Sequence, residues 1–222
     1  MDKKYQVIAL MGKAGAGKDT VQNAVCTAHP LMFHKIISCT TRPIRENEKD
    51  GVDYHYIALE DFTRQVLHNE MLEATEFRDW FYGTPLTALS MEKINIGVFN
   101  PAGVRKLLAD ERLNVKVVEI QAPDKERLLL YLTREEHPDC AEMCRRYFTD
   151  NEDFKGLEFD YFIAENWGDA STDIINEEHS LFPYLEDMWN ELDPGTAFET
   201  IVRWEKTMAT KTESEDDKDN ID

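Results

Sequence analysis

The nine residues Gly12-Lys13-Ala14-Gly15-Ala16-Gly17-Lys18-Asp19-Thr20 have the composition of a loop built to hold phosphate. Glycine lets the chain turn tightly enough for successive backbone N–H groups to converge on one anion. The helix that follows adds the positive end of its dipole. Lys18 supplies a mobile cation for the β- and γ-phosphates of ATP. The hydroxyl that ligates Mg2+ in such loops ordinarily follows the lysine. Here that position is Asp19, and the hydroxyl comes one later, at Thr20. Carboxylate and hydroxyl oxygens both suit Mg2+, so Asp19 and Thr20 are the candidate metal residues. Capping of the helix is the other role open to Asp19.

A second block is rich in groups that recognise a nucleotide. Ser38-Cys-Thr-Thr-Arg42-Pro-Ile-Arg45 is followed by Asp50-Gly-Val-Asp-Tyr54-His-Tyr56, then by Met71-Leu-Glu73-Ala-Thr-Glu-Phe77 and Phe81-Tyr82-Gly83-Thr84. Arginine forks match phosphate bidentately, and tyrosine hydroxyls complete such a shell. Glu73 stands among apolar residues and wants a donor, which the edge of a base offers.

These residues closely resemble those of guanylate kinases, in order and in spacing, and with the phosphate loop the resemblance covers roughly residues 5–166. It implies that Arg42, Arg45, Tyr54 and Tyr82 hold the phosphate of a nucleotide acceptor, with Ser38 beside them. It further implies that Glu73 accepts from guanine N1 and N2 and that Thr84 donates to O6. Residues 127–146 resemble the family's mobile lid. Arg134 and Arg146 fall where its arginines approach the transferring phosphoryl group, and Arg145 is a neighbouring candidate. The resemblance departs at one place. The family's Asp-x-Asp at the end of the third strand is replaced by Val98-Phe99-Asn100. Asn100 offers a carbonyl acceptor but also donors, and no charge, which loosens the hold on the guanine 2-amino group.

The elements that must position these groups follow from hydrophobic spacing. Residues 4–11 read as a buried strand and 19–29 as a helix, stopped by Pro30. Residues 35–39, 94–100 and 115–121 read as further strands, with helices at 102–110 and 124–133. That alternation predicts an α/β fold of the P-loop NTPase type, a parallel sheet flanked by helices. Residues 38–92 read as a small inserted antiparallel unit around a helix at 60–69, binding the monophosphate. Residues 134–153 read as a helical lid, and 159–163 as a last strand. The domain is expected over 1–180, with a helical extension over 181–209 that includes an amphipathic stretch at 198–208.

The net charge of -19 argues against nucleic acid polymers and anionic membranes as partners. Part of it lies in the last ten residues, with six acids and one lysine, so 210–222 read as a disordered tail. The four cysteines include no Cys-x-x-Cys pair, and neither a signal peptide nor a spanning segment is visible. A reduced, cytoplasmic setting is expected, as a monomer or homodimer. The function expected is ATP-dependent phosphorylation of a nucleoside monophosphate, GMP or dGMP foremost. The alternatives are a deoxynucleoside monophosphate kinase of broader or different base choice and a non-catalytic binding module of the same family.

Overall fold

A computed structural model describes residues 4–45, 48–77, 79–134, 138–164 and 181–192. A five-stranded sheet carries the molecule. Its strands are β1 (Tyr5–Met11), β2 (Phe33–Lys35), β7 (Ile94–Val98), β8 (Leu113–Gln121) and β9 (Tyr161–Ala164). Their order is β2-β7-β1-β8-β9, and every pairing is parallel. Strand β1 is central and buried on both sides, which is why it reads as an unbroken apolar run. The pleat sends its side chains alternately to two cores. Ile8 and Leu10 pack with Val21 and Val25 of α1 (Lys18–Ala28) and with Leu185, Met188 and Trp189 of α6 (Phe182–Leu192). Val7, Ala9 and Met11 pack with Val104 and Leu107 of α3 (Pro101–Leu108).

A second sheet, in the order β4-β3-β6-β5, is formed by β3 (Cys39–Thr40), β4 (His55–Tyr56), β5 (Met71–Phe77) and β6 (Trp80–Pro85). Helix α2 (Leu59–Leu67) lies against it, burying Phe62. Two expectations are corrected here. The run 35–39 is not one strand. Phe33–Lys35 pairs with β7 in the large sheet, whereas Cys39 and Thr40 pair with β6 and β4 in the small one. The chain crosses between sheets within that run, and apolar character alone does not separate the two environments. The small sheet is also mixed, since β3 and β4 are parallel.

Helices α4 (Asp124–Arg134) and α5 (Cys140–Asp153) follow β8. The side chain of Arg134, the stretch 198–208 and the tail 210–222 lie outside what is described. Helix α6 falls where the hydrophobic spacing had faded, yet Leu181, Leu185 and Met188 are fully buried against the sheet.

Candidate functional site

The glycine-rich loop joins β1 to α1 by way of backbone shapes that glycine favours. Gly15 and Gly17 have φ of 78° and 81°, in the left-handed region that costs most other residues free energy. A Cβ on Gly15 would lie 2.8 Å from the carbonyl oxygen of Arg127, so α4 packs directly on the loop. Gly17 is the N-cap of α1 and makes no side-chain capping bond. Asp19 therefore does not cap the helix; it stands exposed in the first turn beside exposed Thr20. Lys18 Nζ donates to the carbonyls of Gly12 (2.7 Å) and Lys13 (3.2 Å). Desolvation lowers the Lys18 pKa; the Asp19 and Asp150 carboxylates oppose that, and the Arg146 and Arg127 charges reinforce it. Two anions and two further cations thus gather round this ammonium. Beside the loop, between it and the β8–α4 turn, a cavity of about 370 Å³ is lined by Lys13, Ala16, Ile120, Ala122, Pro123 and Arg127.

The small sheet brings together the second set. Arg42 is buried and forks onto Glu48, with Nη1 and Nη2 each 2.9 Å from a carboxylate oxygen. Glu48 also accepts from the Arg45 amide (3.0 Å) and from the Tyr56 hydroxyl (2.8 Å). Burial pushes the Glu48 pKa up, but the bonds from Arg42, the Arg45 amide and Tyr56 outweigh it and carry it down to about 2. The Arg42 guanidinium lies 5.8 Å and 5.7 Å from the Tyr54 and Tyr56 ring centroids. Tyr54 in turn meets Tyr82 edge-on at 5.9 Å. Burial and, after it, the Asp19 charge push the Tyr54 pKa up to about 12. Arg45 is well exposed, 4.0 Å from Glu48.

Two residues along β6 from Tyr82, on the same face and roughly 7 Å away by strand geometry, Thr84 enters a hydrogen-bond chain. Its Oγ1 donates to Glu73 Oε1 (2.8 Å) and lies 2.8 Å from Ser38 Oγ. The pairing depends on a β-bulge. Met71 faces Pro85 and Glu73 faces Thr84, so Leu72 is the extra residue. Leu72 enters the core with Val104 and Leu107 while Glu73 stays on the site face, 7% exposed. Desolvation raises the Glu73 pKa against the Thr84 bond and the Lys106 charge. Asn100 is the N-cap of α3. Its Oδ1 accepts from Gly103 N (2.7 Å) and its Nδ2 donates to Thr75 Oγ1 (3.2 Å).

Helix α5 begins at an Asp139 cap. Buried Glu142 binds Arg145 at 2.7 Å and 2.9 Å and Arg146 at 2.7 Å. Two turns on, Asp150 Oδ2 accepts from the Ala14 amide at 2.7 Å. Arg127 of α4, 4% exposed, donates through Nη1 to the Ala14 carbonyl (2.9 Å) and through Nη2 to Asp124 (2.6 Å).

The charges of Asp19 and Arg146 thus reach Lys18, that of Asp19 also reaches Tyr54, and Ser38, Thr84 and Glu73 are strung together. Ser38 sits at the Glu73 end of the site, away from Arg42's ion pair. Sequence reasoning passed over Glu48, Glu142, Asp150 and the buried role of Arg127. For Glu142 and Asp150 a signal existed: Glu142, Arg146 and Asp150 are spaced four apart, one helical stripe. For Glu48 there was none, since Glu46 and Asp50 flank it in an equally acidic run.

A family model described as guanylate kinase matches residues 4–178. A guanylate kinase of Latilactobacillus sakei is 38% identical over 86 residues, 39% of this chain and 42% of the relative. One from Onion yellows phytoplasma is 30% identical over 189 residues, 81% of this chain and 89% of the relative. The matched segments span less than two thirds of the length of several of these curated relatives. A crystal structure of guanylate kinase from Anaplasma phagocytophilum superposes with a TM-score of 0.56, covering 88% of this chain and 99% of that one. At 20% identity that likeness speaks for the fold alone. A family model spanning most of the chain, and a relative aligned along most of its own length, carry one conclusion: this chain belongs to the guanylate kinase family.

Proposed function

We propose that the protein transfers the γ-phosphoryl group of ATP to the phosphate of a nucleoside monophosphate, with GMP and dGMP as the preferred acceptors. The observation that carries this reading is the small sheet's division of labour. Arg42 with Tyr54 and Tyr82 forms one polar cluster, and buried Glu73 with Thr84 and Ser38 forms another a short way along the same strand pair. The first suits a phosphate and the second a base edge. Tyr54 of the first cluster lies within reach of the Asp19 charge in the glycine-rich loop.

In this reading the Gly12–Thr20 loop holds the triphosphate and the 370 Å³ cavity beside it receives the rest of ATP. Asp19 and Thr20 are exposed hard-oxygen donors at the start of α1, a donor set that fits Mg2+. Mg2+, when bound there with ATP, neutralises charge on the β- and γ-phosphates. Lys18 leaves the Gly12 and Lys13 carbonyls for phosphate oxygens, while Arg42 and Tyr82 orient the acceptor phosphate. Arg145 and Arg146 leave Glu142 for the transferring group. No covalent nucleophile is required, because alignment and charge stabilisation supply the rate.

One observation favours a second reading, a deoxynucleoside monophosphate kinase of broader base choice. The Asn100 carbonyl is engaged by Gly103, which leaves Glu73 as the carboxylate facing the base. A coupled assay with ATP and a panel of ribo- and deoxyribonucleoside monophosphates separates them. Turnover restricted to GMP and dGMP supports the first reading. Comparable turnover across bases replaces it with the second. ATP binding without turnover of any acceptor refutes both in favour of a binding module.

A further inference from the structure

The amide of Ala14 lies in the middle of the glycine-rich loop, and its single N–H is engaged by the carboxylate of Asp150 at 2.7 Å. That carboxylate is the anion at the centre of a cationic cluster. Arg127 Nη1 is 3.7 Å from it, and its charge also reaches Lys18 and Arg145. Arg127 itself is 4% exposed and donates from the same Nη1 to the carbonyl of Ala14. Both polar groups of this one loop residue are thus held by the two helices that follow β8, its N–H by α5 and its C=O by α4. The Nε of Arg127 is buried without a hydrogen-bond partner.

A backbone N–H has one hydrogen to give. A phosphate oxygen seated in the loop needs the amides that converge there, and a carboxylate already on one of them is both a steric and a like-charge competitor. We propose that Asp150 is an internal competitor for the phosphate loop, a gate through which α5 docks on Ala14 and which an incoming triphosphate displaces. The proposal rests on the reading of the Gly12–Thr20 loop as an ATP site.

The geometry gives the gate its direction. Glu142, Arg146 and Asp150 form one stripe of α5, so releasing Asp150 also moves the arginine pair held by Glu142. Docked, the lid's cations are neutralised by the lid's own acids. Displaced by a polyanion, Asp150 retreats from like charge, and the cations it faced turn to the ligand. Lid movement is thereby coupled to occupation of the loop through differential affinity for two states.

The test is ATP binding by calorimetry on the full chain, comparing wild type with Asp150→Asn and Asp150→Ala. Asn keeps the side-chain shape and removes the charge, so it covers the possibility that Ala perturbs α5. A loop that is competent only when Asp150 is away binds with an affinity reduced by that fraction. Both variants are therefore expected to bind ATP about 5- to 20-fold more tightly. Amide hydrogen exchange in α5 is expected to rise in wild type on adding ATP and to be already raised in the ATP-free variants. Unchanged or weaker ATP binding by folded variants overturns the gate. Lys18→Ala separates that outcome from failure of the underlying reading. If wild type binds ATP, Lys18→Ala loses it and the Asp150 variants bind like wild type, the gate alone is wrong. If neither wild type nor any variant binds ATP, the loop reading is wrong and the gate with it.

Discussion

At the scale of single residues, the site is governed by how its buried charges are paired. Arg42 is held by Glu48 with a matched fork, and the pair has a predictable acid sensitivity. The folded pKa of Glu48 is depressed to about 2, whereas an unfolded glutamate titrates near 4.3. Its contribution to stability is therefore fully present above the unfolded value and is lost as pH falls toward about 2, since the unfolded chain then binds the extra proton. Urea denaturation of wild type at pH 6 and pH 3 should show a loss of a few kcal/mol that is clearly smaller in Glu48→Gln. Equal losses would show that this carboxylate is not what titrates. Glu73 behaves differently, because burial raises its pKa and Thr84 alone among the described side chains donates to it at short range. Glu73→Gln replaces an acceptor with a mixed donor and acceptor. It should raise KM for GMP by roughly 10- to 100-fold, the cost of one misplaced hydrogen bond at a charged group. A KM for ATP unchanged in the same assay would keep the effect at the base.

Whole elements supply the precision that those residues need. The glycine-rich loop is fixed between β1, α1 and the backbone of α4, and Gly15 is the point of closest approach. Gly15→Ala places a methyl against the Arg127 carbonyl and strains a φ of 78°. The expected destabilisation is about 1–3 kcal/mol, read by thermal unfolding, together with weakened ATP binding. A variant as stable as wild type would mean that α4 yields easily. Helix α6 is the second case. Trp189 is 6% exposed and packs with Leu185, Met188 and the β1 residues Ile8 and Leu10. Trp189→Ala should cost about 3–5 kcal/mol, measured by chemical denaturation; a loss under 1 kcal/mol, the range of surface changes, would argue that α6 is an appendage to the sheet. The β-bulge of β5 belongs to this scale too. Leu72 enters the core and Glu73 stays toward the site, and the one-residue register shift is what sets Glu73 opposite Thr84.

For the molecule as a whole the dominant quantity is its charge of -19. Self-repulsion of that size destabilises the compact state and is screened by salt. The melting temperature should therefore rise by a few degrees between about 10 mM and 0.5 M NaCl. A fall over that range would indicate that ion pairs outweigh the repulsion. Against so acidic a background, the cations of the site are local exceptions, and much of their charge is met by the molecule's own acids, Glu48, Glu142 and Asp150.

The glycine-rich turn between β1 and α1 and the parallel sheet were legible in the chain, because each shows in residue type and hydrophobic pattern along a short segment, whereas the strand order was not. Glycine is favoured where φ is positive, as at Gly15 and Gly17, and an unbroken apolar run is buried on both faces, as in β1. The break between β2 and β3 was not legible, because the two short strands lie in one apolar stretch and only their partners tell them apart. Helix α6 lies within the stretch expected to be helical, but its burial was not legible, because its apolar residues, Leu181 to Leu192, sit among acids and are ordered by the sheet they cover. The ion pairs were hidden for a statistical reason. The chain has 44 acidic residues, and nothing in their order says which one reaches Ala14, Arg42 or the arginine pair of α5. Chemistry carried by neighbours in sequence is encoded by neighbours in sequence; the partner of a charge is set by distances across the fold, and those exist only once the sheet, the bulge and the lid helices have packed.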